Sequence, residues 1–138
     1  MRRRERIRKQ AETRKSVALP GTLTRGVARK QISLLCSEIA REFHPERIVL
    51  FGSHAYGNPR AGSDVDLLIV MPFEGSPFRQ AAVILGHLVQ AVGVVPLDML
   101  VRTPHQVQAR IQMGDSFMRE IIERGRVMYE ADSEGTIH

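Results

Sequence analysis

Two aspartates one residue apart, Asp64 and Asp66, open an apolar run, and a glycine–serine pair, Gly52 and Ser53, closes another apolar run upstream. Ten residues separate Ser53 from Asp64, so the segment IVLFGSHAYGNPRAGSDVDLLIV, Ile48 to Val70, reads G-S-x10-D-x-D. Successive strand side chains face opposite ways, which puts Asp64 and Asp66 on one side and Val65 on the other. Two carboxylates side by side repel each other unless a cation sits between them. Hard oxygen ligands at this spacing favour Mg²⁺ or Mn²⁺, which keeps several waters and binds one or two carboxylates plus substrate phosphates. Gly52 lets the backbone approach a ligand closely, and Ser53 offers an amide N–H and a hydroxyl to phosphate oxygens. The chemistry these types and spacings point to is metal-assisted phosphoryl transfer.

In-line displacement with two metals calls for a third acidic group, as metal ligand and as base for an attacking hydroxyl. Asp98, inside the apolar stretch VVPLDMLV from Val94 to Val101, is the candidate. A lone carboxylate there is costly unless paired, metal-bound or at the exposed end of its strand. A competing reading of the same residues is a strand–turn–strand unit whose aspartates merely cap loops. His54 reads as a loop residue and Tyr56 as packing over the loop; Arg60 and Arg102 are read as solvated.

The elements that must position these groups follow from periodicity and punctuation. A helix is expected from about Thr24 to Phe43, with Ile32, Leu35, Cys36, Ile39 and Phe43 on its apolar face, then His44-Pro45 and a first strand at Ile48–Phe51. The residues HAYGNPRAGS form a loop before the second strand, Val65–Val70. Pro77 starts a helix capped by Ser76, with Phe78, Ala81, Leu85, Leu88 and Val92 as its apolar positions, and Gly93 ends it. The Asp98 strand follows, then a capping box at Thr103 to Gln106, a helix to about Met113, another from Asp115 to about Arg124, and a short strand from Arg126 to Glu130. These predict an α/β (α+β) domain with a small mixed sheet and helices mainly on one face.

With those residues in place, the chain resembles the minimal nucleotidyltransferase (MNT) family of the DNA polymerase β superfamily. The likeness runs from about Gln31 to Glu130 and includes LFGSHAYGNPRAGSDVDLLIV, LDMLVRTP at Leu97 to Pro104 and FMREIIERGRVMYE at Phe117 to Glu130. It implies a polymerase β-like nucleotidyltransferase fold, two Mg²⁺ ions, ATP or another nucleoside triphosphate as donor, attack of a hydroxyl on the α-phosphate, and pyrophosphate release. By position, Gly52, Ser53 and Ser63 would bind the nucleotide, Asp64 and Asp66 both metals, and Asp98 one metal and the acceptor's proton. Many relatives carry arginine shortly after the Gly-Ser pair, where this chain has His54 and Tyr56. Similar members are antitoxins of type VII-like toxin–antitoxin pairs, encoded beside a HEPN ribonuclease toxin that some of them AMPylate on a tyrosine. The alternatives are a non-catalytic module that neutralises a partner by contact, and an aminoglycoside-type small-molecule nucleotidyltransferase.

Length and composition set the remaining bounds. The 138 residues, 43% hydrophobic, suit one modest core. No apolar segment approaches the ~20 residues that span a bilayer, and the basic start lacks the apolar stretch of a secretory signal. A single cysteine, Cys36, cannot form an internal disulfide, and a cytoplasmic setting is expected. The net charge of +5 is unevenly placed. Residues 1–15 hold eight Lys/Arg against Glu5 and Glu12, a net of +6, so the remainder carries −1. The expected organisation is a basic disordered arm at 1–22, a nucleotidyltransferase domain at 23–130 and a disordered tail at 131–138. The arm is either a solvated extension or a contact for nucleic acid.

Overall fold

The computed structural model describes residues 27–57 and 64–132. The basic arm, the loop segment 58–63 with Arg60 and Ser63, and the end of the tail lie outside the described residues.

Helix α1 (Arg29–Phe43) forms because Ile32, Leu35, Cys36 and Ile39 recur at three- and four-residue spacing, and all four are buried. Its start lies later than Thr24: Ala28 is extended (φ −67°, ψ 148°) and its N–H donates to Gln31 Oε1 at 3.4 Å. The helix ends at His44, which takes the left-handed conformation (φ 50°) before Pro45 redirects the chain. Strand β1 (Arg47–Phe51) follows, then a single helical turn α2 (Ser53–Tyr56) where a loop was expected, then strand β2 (Val65–Val70).

Helix α3 (Pro77–Val92) has proline in its first turn and the Ser76 hydroxyl accepting from Phe78 N–H (3.0 Å) and Arg79 N–H (3.3 Å). Its inward positions are Ile84 and Leu88, with Ala81 and Val92 beside them. Phe78, expected on that face, is 87% exposed. Strand β3 spans Leu97–Arg102, three residues later than its apolar run begins; Val94 is left outside. Helix α4 (Pro104–Gln112) carries the reciprocal capping box, with Thr103 N–H donating to Gln106 Oε1 (3.0 Å) and Gln106 N–H to Thr103 Oγ1 (3.1 Å). Helix α5 (Ser116–Arg124) is capped by Asp115, and strand β4 (Arg126–Glu130) closes the described chain.

The sheet is mixed, in the order β3-β2-β1-β4. Strand β1 runs antiparallel to β2 and to β4, while β2 and β3 are parallel across the α3 crossover. Both faces are covered. The two long helices, α1 and α3, pack on Ile48, Leu50, Val65, Leu67, Ile69 and Val101. The short pair α4 and α5 covers Val49, Phe51, Leu68 and Val70 through Val107, Met118 and Ile121. The expectation of helices mainly on one face therefore holds for the long ones, and the short pair adds a partial second layer.

Cys36 lies in the first of these cores, where burial pushes its thiol up to about 12, as an inert core cysteine requires. At the joint between α5 and β4, Gly125 sits where a Cβ would fall 2.4 Å from Ile121 O, 2.5 Å from Val49 Cγ1 and 3.0 Å from Leu50 O. Two of those neighbours are backbone and cannot swing aside. Gly125→Ala should therefore cost about 1–3 kcal/mol, read as a fall of several degrees in melting temperature.

The cap at Asp115 gives a second expectation. Its carboxylate accepts from Met118 N–H (3.1 Å), the main reason its pKa lies below the usual value, and pairs with Arg110 (3.2 Å). A depressed carboxylate pKa contributes stability above the unfolded value near 3.8, and that contribution is lost as pH falls through the folded value. Asp115→Ala should lower stability by about 1 kcal/mol at neutral pH. Asp115→Asn should retain most of the cap while flattening the acid limb of a stability-versus-pH curve.

Candidate active site

The strand register decides where the predicted residues meet. In the parallel β2–β3 pair, Asp66 lies opposite Asp98; in the antiparallel β1–β2 pair, Asp66 lies opposite Phe51, the residue before Gly52. The C-terminal end of β1 and the N-terminal ends of β2 and β3 thus share one end of the sheet. Alternation places Asp66 on the face of Leu68 and Val70, and Asp98 on that of Leu100. The two carboxylates therefore flank each other on the α4–α5 face. Asp64 precedes β2 and is 5% exposed, while Asp66 and Asp98 are half-buried.

Gly52 is buried and adopts φ 78°, ψ −160°, a backbone conformation that a side chain would strain. Its carbonyl accepts from Ala55 N–H (3.0 Å) and Tyr56 N–H (3.1 Å), which winds α2. Those two bonds occupy the Ala55 and Tyr56 N–H groups, so the amide donors that the start of the turn can offer a ligand beside the Ser53 hydroxyl are those of Ser53 and His54. The donor set suits a hard divalent cation held with phosphate: carboxylate oxygens on adjoining strands, beside a glycine–serine turn. Mg²⁺ or Mn²⁺ fits these residues.

His54, expected as a loop residue, is buried. Val27 N–H donates to its Nε2 at 3.2 Å, so the neutral ring carries its proton on Nδ1. Burial lowers its pKa, and the adjoining Asp64 backbone and carboxylate pull weakly the other way. His54 thus tethers the approach to α1 onto the Gly-Ser turn. Nothing in the local sequence distinguishes it from a solvated histidine, since its partner lies 27 positions away. Arg124 was also passed over; its guanidinium lies 5.1 Å from the centre of the Tyr56 ring. Arg102 donates to Val101 O at 2.8 Å.

Glu38, Glu42 and His87 bring three ligand-type atoms within 4.8 Å of one another. They lie on α1 and α3, across the sheet from Asp66 and Asp98. Glu38 is paired with Arg41 and meets His87 Nε2 at 2.6 Å, with the His87 ring edge-on to Phe43. Arg41 first, and His87 after it, hold the Glu38 carboxyl below its ordinary range. This group is a hydrogen-bonded clasp between the two long helices.

A four-stranded mixed sheet with a Gly-Ser turn and three strand-end aspartates at one edge defines a nucleotidyltransferase fold. Residues 32–128 match the nucleotidyltransferase domain family, and the chain belongs to that family. It is a nucleotidyltransferase. Among relatives, it is 33% identical over 84 residues to a candidate protein adenylyltransferase of Methanocaldococcus jannaschii, covering 61% of this chain and 78% of the other. Two solved structures share the fold. One is a candidate nucleotidyltransferase of Sulfolobus solfataricus (TM-score 0.51, 16% identity, 95% of this chain and 93% of that one). The other is a toxin–antitoxin with AMP-PNP (TM-score 0.50, 14% identity, 74% and 76%). Among the described residues no helix is long and apolar enough to cross a membrane.

The His54 tether makes a prediction of its own. His54→Ala should leave the Val27 N–H without its acceptor and cost about 1–3 kcal/mol. Denaturant titration would read the loss, and hydrogen exchange at the Val27 amide should accelerate ahead of the core strands.

Proposed function

We propose that the protein transfers a nucleoside monophosphate, AMP from ATP, to a hydroxyl of a partner protein, acting as the antitoxin of a toxin–antitoxin pair. The observation that carries this reading is the in-register pairing of Asp66 with Asp98 beside the Gly52–Ser53 turn. Metal-assisted displacement at phosphorus uses such an arrangement: carboxylates that hold cations, next to donors that hold the phosphates. The relationship to a candidate protein adenylyltransferase supports a protein acceptor, and the likeness to a toxin–antitoxin structure holding AMP-PNP supports both the partner and the donor. Following the family resemblance, the partner is a HEPN-type toxin and the acceptor a tyrosine.

In this mechanism Asp64 and Asp66 would hold two Mg²⁺ ions, with Asp98 a ligand to one of them. Such ions would supply neutralisation of charge on the triphosphate and on the leaving pyrophosphate. Gly52 and Ser53 fix the donor's phosphates through backbone N–H groups and the serine hydroxyl, with Ser63 assigned to the same task. Asp98 takes the proton from the acceptor hydroxyl as its oxygen bonds to the α-phosphorus and the bond to pyrophosphate breaks. Positioning and charge neutralisation supply the acceleration, with no covalent enzyme intermediate.

The test is incubation with the protein encoded next door, Mg²⁺ and each nucleoside triphosphate, followed by intact-mass measurement of both chains. A gain of one or more AMP on the neighbour is expected. Asp66→Asn and Asp98→Asn should each lower the rate by about 10²–10⁴-fold, and EDTA should abolish transfer until Mg²⁺ is restored. Full transfer by an Asp64→Asn/Asp66→Asn double variant would overturn the assignment. A stable complex with no mass gain would leave neutralisation by contact as the function.

A further inference from the structure

The site described so far is rich in negative charge: three aspartates, to which a triphosphate would add about four more charges. The described residues place a cation where it could answer that charge. Strand β4 pairs with β1 so that Leu50 faces Arg126, which brings the end of α5 to the same end of the sheet as Gly52. Arg124 is the last residue of α5, the helix on the sheet face that carries Asp66 and Asp98. Its guanidinium rests 5.1 Å from the centre of the Tyr56 ring, and Tyr56 is the last residue of the turn that begins at Ser53.

We propose that Arg124, laid on Tyr56, is a further donor-binding residue that engages the phosphate chain of the nucleoside triphosphate held at Gly52–Ser53. The inference rests on the functional reading above and extends it to a residue 71 positions beyond Ser53. A guanidinium over an aromatic face is held by the ring while its five N–H donors can still match phosphate oxygens in pairs. Tyr56 is the positioning residue: it removes freedom from a long side chain that is otherwise 67% exposed. The competing contact, Glu120 at 3.9 Å one helical turn back, is an exposed pair of little worth and yields readily to a phosphate. His54 does not fill this role, because its Nε2 is turned inward to Val27.

The test measures the dissociation constant of AMP-PNP with Mg²⁺ by calorimetry at two salt concentrations. Arg124→Ala should weaken binding by about tenfold and reduce the salt dependence, with Arg124→Lys recovering part of the loss. Tyr56→Phe should bind as wild type and Tyr56→Ala should lose part of the affinity, and that loss should vanish in an Arg124→Ala background, a coupling that a general packing role would not give. Arg126→Ala, a neighbouring cation at the same sheet end, should stay within about twofold of wild type. Should Arg124→Ala fail to fold, judged by circular dichroism, Arg124→Gln is the second variant and should show the same loss. Wild-type affinity in a folded variant lacking the Arg124 charge would overturn the proposal while leaving the nucleotidyltransferase site intact. An equal loss in Arg126→Ala would overturn it in favour of a diffuse field. Absence of AMP-PNP binding by the wild-type chain would overturn the donor reading and the proposal together.

Discussion

The parallel pairing of β2 with β3 is the interaction on which the rest depends. It fixes Asp66 opposite Asp98, two carboxylates on one face of adjoining strands, and buries Asp64 just before them. Like charges held together at the edge of a core are tolerated only where something offsets their repulsion and desolvation. The register allows little relaxation, because a one-residue slip would turn Leu67 and Leu68 to the wrong faces and disrupt both cores. Hydrophobic alternation thus holds the acids together against their own electrostatics.

Everything around that pair serves either its rigidity or its access. The crossover through α3 makes β2 and β3 parallel, with Ser76 setting where the helix begins and Gly93 where it stops. The long helices seal one face so that the strands cannot slide. On the other face α4 and α5 cover the β1 and β2 positions Val49, Phe51, Leu68 and Val70. Gly125, pressed against Val49 and Leu50, lets α5 end close enough for β4 to enter the sheet beside β1. The Gly52–Ser53 turn is pinned from two sides, by its own carbonyl bonds to Ala55 and Tyr56 and by the His54 bond to Val27. A turn so constrained is organised in advance, which is what the phosphate contact proposed for it would need to stabilise charge without reorganising.

Residues 32–128 account for the family match, so the described body consists of little beyond the nucleotidyltransferase domain itself. The protein acceptor proposed above would bring its own surface to such a body.

What the sequence by itself determined was local. The period-2 alternation fixed that Asp66 shares a face with Leu68 and opposes Val65, the capping box at Thr103 and Gln106 marked a helix start, and the Gly-Ser pair after an apolar run marked the turn. The apolar context of Asp98 flagged it as anomalous before any partner was visible. Tertiary structure decided what those groups meet. It set Asp98 against Asp66, shifted β3 to Leu97–Arg102, turned His54 inward to Val27, left Phe78 in solvent and laid Arg124 over Tyr56. The reason is physical: side-chain direction along a strand and the capping of a helix depend on neighbours a few residues away, whereas register and strand order are settled by packing between segments tens of residues apart.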